Sequence, residues 1–432
     1  MYVPHASYVP HEVGRNRMRQ PRTRVAIVGG GVAGLVTATL LRRRGIDVRI
    51  FEQTPQLGAI GAGIQLSPNG VRVLHRLGLQ AALARTGVRA QAIETRRWAD
   101  GTRIARVRHG VACTELFGAP YYLIHRADLQ RCLLSVLPEH VMELGKGCTR
   151  VVEGPDEVAL HFADGTTTTA DVVIGADGVH SAVRAAVVQD EPRFSGYAVH
   201  RGLVPAAAVP SFATDPRVLF WLGPRRHVTY YPVRGGDIVH FSAVGASNDA
   251  RTGSFSSPDE MNELATGFAD WHEEVRRVVT AAGSVTRWGL FDRDLADRYV
   301  TGRIALLGDA AHPTLPYLSQ GANQALEDAV TLARCLWEAD PARLAPALHR
   351  YQSLRRPRTA EVHRRARDLA RTFHLPDGQE QTDRDREMRD RQEPEHLSWL
   401  YGFDADAATT PTPGPASPVP APVPAAHPIH RL

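Results

Sequence analysis

Cysteine is scarce. The four present in 432 residues, Cys113, Cys132, Cys148 and Cys335, sit far apart, with no C-x-x-C pair to chelate a metal or exchange disulfides. They read as reduced, mostly buried thiols of a cytoplasmic protein, and no metal site is expected. A long unbroken apolar run is also missing. The most apolar stretch, Val25 to Leu41, is interrupted by Gly29, Gly30, Gly31 and Gly34, so no membrane span is expected. The first 23 residues lack the apolar core of a secretory signal and are expected to be disordered. No block of one charge sign occurs either. The net charge of +5 comes from Arg scattered among Asp and Glu, which predicts a solvated surface and no nucleic-acid partner.

What is present suffices for a large core: 43% of residues are hydrophobic and 22% charged, a balance that supports about two domains and excludes disorder throughout. Either a monomer or a homodimer is compatible with it. From Arg24 the chain alternates a short apolar strand (RVAIVG), a helix from Val32 to Arg44 and a second strand (DVRIFE), a β-α-β unit. DVVIGA (Asp171 to Ala176) and RIALLG (Arg303 to Gly308) have the continuous apolarity of strands buried on both faces, and complete the same parallel sheet. Between them, Phe194 to Val244 carries strands separated by Pro, Gly and Asp, with a β-hairpin expected around Arg234-Gly235-Gly236-Asp237. Residues 258–282 are helical by periodicity and should cover one face of that sheet.

The expected fold is therefore α/β: a Rossmann-like nucleotide-binding domain with a mostly parallel sheet (residues 24–190 and 290–375) and an inserted antiparallel-sheet substrate domain (191–289). Residues 376–432, charged and then Pro/Ala-rich, are expected to be a disordered tail.

Gly29-Gly30-Gly31-Val32-Ala33-Gly34 satisfies G-x-G-x-x-G directly after a strand and at the opening of a helix. The spacing has a mechanical cause. Gly29 makes the tight turn, Gly31 lets the backbone approach a pyrophosphate, and Gly34 permits close helix packing. The helix then offers unpaired N–H groups and the positive end of its dipole to the phosphates. Glu52, at the end of the second strand, is placed to bind the adenosine ribose hydroxyls. This unit alone does not separate NAD from FAD. Two later features bear on that choice: Gly308-Asp309-Ala310-Ala311-His312-Pro313, where a buried strand ends in a carboxylate, and the helix opened by Gln320-Gly321-Ala322-Asn323.

GDAAHPTLPYLSQGANQALEDA resembles the second FAD-binding motif of the class A flavoprotein aromatic hydroxylases, the family of para-hydroxybenzoate and salicylate hydroxylases. GADGVHSAVR (Gly175 to Arg184), GAGIQLSPNGVRVLHRLGL (Gly61 to Leu79) and HRADLQRCL (His125 to Leu133) are similar to further motifs of that family, in the right order over about residues 24–370. The resemblance implies bound FAD, with NADH or NADPH as a transient co-substrate, since only one G-x-G-x-x-G is present. It implies that Asp309 binds the ribityl chain, that Gly321, Ala322 and Asn323 present the helix terminus to the flavin, that Arg126 contacts the cofactor near its pyrophosphate, and that Asp177 serves both FAD and NAD(P)H. Plainer uses stand beside these: Arg126 in a surface ion pair, Asp177 in a turn, Asp309 as a helix cap.

In the family's cycle NAD(P)H reduces FAD, dioxygen adds to give a C4a-hydroperoxide, and one oxygen passes to the ring of a small aromatic acid. The resemblance thus implies an FAD-dependent monooxygenase of a hydroxy- or amino-benzoate or a pyridine carboxylate. HVTYYPV resembles the family's substrate-pocket strand, which makes His227 and Tyr231 candidates for ring activation; the alternative is an ordinary half-buried strand pair. Arg201, in an Arg-Gly-Leu-Val-Pro segment like the family's, could bind the carboxylate or brace the domain interface. Pro316 is expected beside the isoalloxazine. There the chain departs from the pattern: salicylate hydroxylases usually read P-x-x-G-Q-G, whereas Pro316-Tyr317-Leu318-Ser319-Gln320-Gly321 carries Ser319. That puts salicylate itself in doubt as the substrate. No W-x-W-x-I-P motif of the flavin-dependent halogenases occurs.

Overall fold

The computed structural model describes residues 23–57, 62–255, 257–339 and 343–410. The expectations for the first 22 residues and for 411–432 lie outside them.

In chain order, β1 (Arg24–Val28), α1 (Val32–Arg42) and β2 (Asp47–Phe51) form the β-α-β unit, and β3 (Gly63–Leu66) follows. Later come β4 (Val172–Gly175), β5 (Arg193–Pro205), β6 (Arg226–Val233), β7 (Ile238–Ala246) and β8 (Ile304–Leu306). Three helices close the fold, α2 (Gly321–Trp337), α3 (Leu344–Phe373) and α4 (Gln379–Asp390).

The first sheet has six strands in the order Val300–Thr301, β8, β4, β1, β2, Met142–Glu143, with β8, β4, β1 and β2 mutually parallel. β4 and β8 are wholly buried and β1 nearly so, as strands covered on both faces must be. Their side chains join α1 and α2 in one large core. All these parallel strands end at the same edge of the sheet, where the loops carrying Gly29, Glu52, Ala176 and Asp309 emerge.

The second sheet has eight strands, in the order Thr252–Phe255, Val285–Asp292, β5, β7, β6, Val218–Gly223, Ala92–Arg97, Arg103–Arg108. Its last two strands come from the segment assigned by sequence to the nucleotide domain. Ala92–Arg97 pairs parallel with Val218–Gly223, so the two halves of the protein share a sheet. The expected single helix over 258–282 is two, Pro258–Gly267 and Glu273–Thr280. The break turns Phe268 and Trp271 into the core against Trp221 and Tyr230, while the His272 side chain caps the second helix by accepting from Glu274 N.

The disordered tail expected from residue 376 is corrected for its charged part. Residues 379–390 are helical although they carry no apolar stripe, because polar groups pair with one another and with the scaffold. Arg384 and Asp385 are buried together at 2.7 Å, and Arg384 Nη1 donates to Thr372 O. Farther on, Leu400 and Tyr401 enter a core with Tyr121 and Tyr231.

No helix among the described residues is long and apolar enough to cross a membrane. All four cysteines are free thiols, three of them buried.

Candidate active site

The edge where the parallel strands end faces the inner side of the second sheet across a cavity of about 390 Å³. At one end lies the glycine turn. Gly29 has φ +109°, and a Cβ there would sit 2.4 Å from Ala176 O; a Cβ on Gly34 would sit 2.0 Å from Gly29 O. Both contacts permit only glycine. A Cβ on Gly31, by contrast, would meet nothing within 4 Å, because Gly31 faces the cavity. The first intrahelical bond of α1 is Leu35 N to Gly31 O, so the N–H groups of Val32, Ala33 and Gly34 have no intrahelical acceptor. Val32 and Ala33 line the cavity. Glu52 accepts from Gly30 N at 2.7 Å and from Thr54 N and Oγ1 at 2.9 Å, which cinches the turn from its outer side.

Asp309 follows β8 and points into the same cavity. It lies deep in the molecule, yet solvent reaches it through the cavity, and its carboxylate takes no hydrogen bond from the protein among the described residues. Burial raises its pKa, against the opposing pull of His312 and Arg126. The turn that carries it is braced from behind. Asp328, fully buried on α2, accepts from Gly308 N (2.9 Å), His312 Nε2 (2.6 Å) and Arg355 Nε (2.6 Å). Its neighbour Glu327 accepts from Arg355, Arg358 and Asn69. Asp328 is held in the ionised form, below the usual carboxylate range, by His312 and Arg355 acting against burial. Gly321 and Ala322, at the N-terminus of α2, line the cavity beside Asp309, as does Arg126.

The opposite wall is the inner face of the second sheet, where strand register sorts the side chains into rows. Val199, Val244 and His227 lie across one row, Arg201, Ser242 and Thr229 across the next, and His240 and Tyr231 across a third; all eight line the cavity. This is the period-two alternation of β5, β6 and β7. Gly63 approaches this wall so closely that a Cβ would lie 2.8 Å from the Tyr231 hydroxyl. Gln65, accepting from Tyr121 Oη at 2.8 Å, sits alongside. Arg201 has no ion-pair or hydrogen-bond partner for its guanidinium among the described residues. Burial lowers its pKa, and Arg126 adds to that, while Tyr231 opposes it. Burial also drives His227 well below the normal histidine range, His240 down to about 3, and the Tyr231 phenol upward. At neutral pH the wall therefore holds neutral imidazoles, a protonated phenol and one guanidinium.

Pro316, Tyr317 and Ser319 complete the lining. Ser319 takes left-handed backbone (φ +53°), the conformation for which glycine is the default residue.

Two sequence candidates are corrected. The carboxylate of Asp177 is turned away from the cavity, accepting from Ser181 Oγ (2.5 Å) and Ala182 N (2.8 Å), so it shapes the loop while Ala176 and Gly178 do the lining. The Asn323 side chain is fully occupied too: Oδ1 accepts from Ser67 N, and Nδ2 donates to Gln65 O and Ser319 O. It ties β3 to α2 and has only its backbone N–H left for a ligand. Arg184, inside the Asp-Gly motif, donates to Ala310 O and Ala311 O and so joins the loop after β4 to the loop after β8.

Sequence reasoning missed His240, although its alternation with Ser242 and Val244 was a signal. It missed Asp328, although that residue stands in the quoted Gly308-to-Ala329 motif, and it missed His374, for which no local signal exists.

The donor set fits a dinucleotide flavin. Gly31 leaves open space under one helix N-terminus, Asp309 offers an unpartnered carboxylate to hydroxyl donors, and the N-terminus of α2 faces the far end.

The FAD binding domain family matches residues 22–366. The chain is 68% identical over 379 residues to a 3-amino-4-hydroxybenzoate 2-monooxygenase of Streptomyces cremeus, covering 88% of this chain and 95% of that one. It is 34% identical to a 6-hydroxynicotinate 3-monooxygenase of Pseudomonas fluorescens, covering 88% and 95%. Among solved structures it resembles Klebsiella pneumoniae HpxO complexed with FAD and uric acid, with a TM-score of 0.79 at 28% identity, covering 89% and 97%.

Proposed function

The chain belongs to the class A flavoprotein aromatic hydroxylases, FAD-dependent monooxygenases of small aromatic acids, and on that premise we propose that it hydroxylates 3-amino-4-hydroxybenzoate at C2. The observation that carries this reading is Arg201: a guanidinium deep in the cavity, with no carboxylate of the protein beside it. A cation half-buried without a partner is costly, and a substrate carboxylate gripped bidentately removes that cost. The 68% identity to an enzyme of that name supports the particular acid.

C2 lies between the carbon bearing the carboxylate and the carbon bearing the amine. Holding the carboxylate at Arg201 therefore fixes where C2 stands, and the amine lone pair makes that carbon electron-rich. His227 and Tyr231 lie one row to either side of Arg201 along the sheet, within reach of the ring substituents. Neutral His227 can accept a hydrogen bond from them; protonated Tyr231 can donate one. Val199, Val244, Phe220 and Tyr317 keep water off the ring, and Pro316 shapes the wall where oxygen is delivered.

Bound FAD, held by Gly29 to Gly34, Asp309, Arg126 and the N-terminus of α2, would supply hydride acceptance from NAD(P)H and activation of dioxygen. With one dinucleotide fingerprint committed to FAD, NAD(P)H visits only transiently.

The test is substrate-stimulated NADH and NADPH oxidation by the purified yellow protein, with product mass measured. 3-Amino-4-hydroxybenzoate should stimulate it most and gain one oxygen. Stronger, coupled turnover of 6-hydroxynicotinate or 3-hydroxybenzoate would overturn the proposal.

A further inference from the structure

Among the described residues, Arg225, Arg234 and Ser319 take left-handed backbone without being glycine. Arg225 sits in the connection between Val218–Gly223 and β6, and Arg234 opens the one between β6 and β7. Hairpin connections call for that conformation. Ser319 lies in no hairpin. It ends the turn Pro316–Leu318 with φ +53° and ψ +35°, and it lines the cavity.

Its surroundings over-determine the conformation. Ser319 N donates to Pro316 O at 3.0 Å, and Ser319 O accepts from Asn323 Nδ2 at 3.0 Å. The preceding turn is pinned on both sides, by Tyr317 in the cluster of Val199 and Phe373 and by Leu318 against that of Tyr231 and Val233. With both backbone groups engaged, the hydroxyl is the polar group that Ser319 has left, and it makes no hydrogen bond within the protein among the described residues. Other polar groups of the lining are already taken up. His227 Nδ1 lies 2.9 Å from His374 Nε2, His240 Nε2 lies 2.9 Å from Ser242 Oγ, and Gln65 Oε1 accepts from Tyr121 Oη.

Backbone strain that glycine would avoid concentrates at binding and catalytic sites. Asn323 Nδ2 also donates to Gln65 O, at 3.1 Å, so Ser319 stands beside Gln65; two residues on, Gly321 opens α2 on the cofactor side of the cavity. In 3-amino-4-hydroxybenzoate the amine is on the carbon next to C2. The carbon that receives oxygen must face the cofactor, and its neighbour's substituent comes to the same side. A serine hydroxyl can accept from an amine N–H.

We propose that Ser319 is a specificity-determining residue whose hydroxyl accepts a hydrogen bond from the donor on the ring carbon next to the oxygenated one. The identification of that donor as the amine rests on the substrate reading above. An acid without the donor forgoes the bond and binds less tightly.

The test measures ligand binding to FAD-loaded protein without NAD(P)H, through the perturbation of flavin absorbance, together with melting of the apoprotein. The parent should bind 3-amino-4-hydroxybenzoate about tenfold more tightly than 4-hydroxybenzoate, which lacks only the amine. Ser319→Ala keeps the Cβ and the backbone strain but has no hydroxyl; it should bind the amino acid about tenfold more weakly and 4-hydroxybenzoate as the parent does. Ser319→Gly should lose the same discrimination while its apoprotein melts no lower than the parent, since left-handed backbone costs glycine no strain. Discrimination retained in Ser319→Ala would overturn the proposal. So would a Ser319→Gly apoprotein that melts well below the parent, because the side chain would then serve the fold. Failure of the substrate reading shows separately, as a parent that turns over another acid in preference; the same variants, titrated with that acid and with its analogue lacking the ring donor, then judge Ser319.

Discussion

Asp328 grips His312 at 2.6 Å, and the same carboxylate oxygen accepts from Gly308 N at 2.9 Å, so one buried side chain on α2 clamps both ends of the turn that presents Asp309 to the cavity. Arg355 balances the charge from the other side. Removing one partner of such a buried set leaves the others unpaired. Asp328→Ala should therefore lose about 3–5 kcal/mol of unfolding free energy, and its flavin content should fall even where it remains folded. Urea denaturation and the flavin-to-protein absorbance ratio check the two effects.

Asp309 should behave differently, because it has no protein partner to lose among the described residues. Asp309→Ala is expected to leave the apoprotein about as stable as the parent, since the side chain faces the open cavity and no protein hydrogen bond is lost. FAD should bind about ten- to a hundredfold more weakly, the equivalent of one hydrogen bond to a charged group. Thermal melts of apoprotein and titration by flavin fluorescence separate the two. Full FAD content in the variant would remove Asp309 from the cofactor site.

Within the fingerprint, Gly31→Ala and Gly34→Ala should part company. At Gly34 the new methyl collides with Gly29 O, so folding itself is damaged. At Gly31 the backbone has φ −77°, and the methyl meets no protein atom within 4 Å, so the apoprotein should fold normally. The methyl instead occupies space needed by the pyrophosphate. Normal apoprotein melting with lost FAD binding is the expected result for Gly31→Ala, and undiminished FAD binding would show that the open space serves no phosphate.

Arg201→Met keeps an unbranched side chain without the guanidinium. KM for the aromatic acid should rise about ten- to a hundredfold, by loss of a charge-assisted hydrogen bond, with FAD content unchanged. Arg201→Lys should recover only part of this, since an ammonium lacks the planar fork. A KM like the parent's in the Met variant would return Arg201 to the role of an interface brace.

Acid sensitivity follows from the buried histidines. His109, packed against Tyr121 and hydrogen-bonded through Nδ1 to Val107 O, has its pKa lowered by burial to about 4. Between the ordinary value of 6.5 and that level the unfolded chain binds the proton and the folded one does not. The stability is fully present above the unfolded pKa and falls as pH drops through the window. His240 and His374 act in the same direction. His109→Asn, which retains a donor for Val107 O, should make urea midpoints less dependent on pH across that window. An undiminished slope would mean that His109 is not a source of it.

Local spacing made much of this legible. The glycine turn could be read from six consecutive residues because the spacing itself implies the turn: Gly34 meets Gly29 O five positions back, and Gly29 takes φ +109°, although the carbonyl that bars a Cβ there belongs to the distant Ala176. The strands β4 and β8 were readable because burial on both faces requires continuous apolarity. His227 and Tyr231 were readable as neighbours on one face because a strand has period two. The helix over 379–390 was not readable, since its stabilising partners are polar and tertiary. Nor was the use of Asp177 and Asn323, whose residue types suit a ligand as well as the loop and strand contacts they make.

The amino-acid order by itself therefore determined the fold class, the dinucleotide fingerprint and the face of the sheet that lines the cavity, set by periodicities and turns spanning a few residues, while the choice of flavin came from the motif resemblance. The three-dimensional packing decided which candidates face the cavity and which hold it in shape. It also gave His227 a partner 147 positions away, contributed by a helix end that no short-range pattern marks.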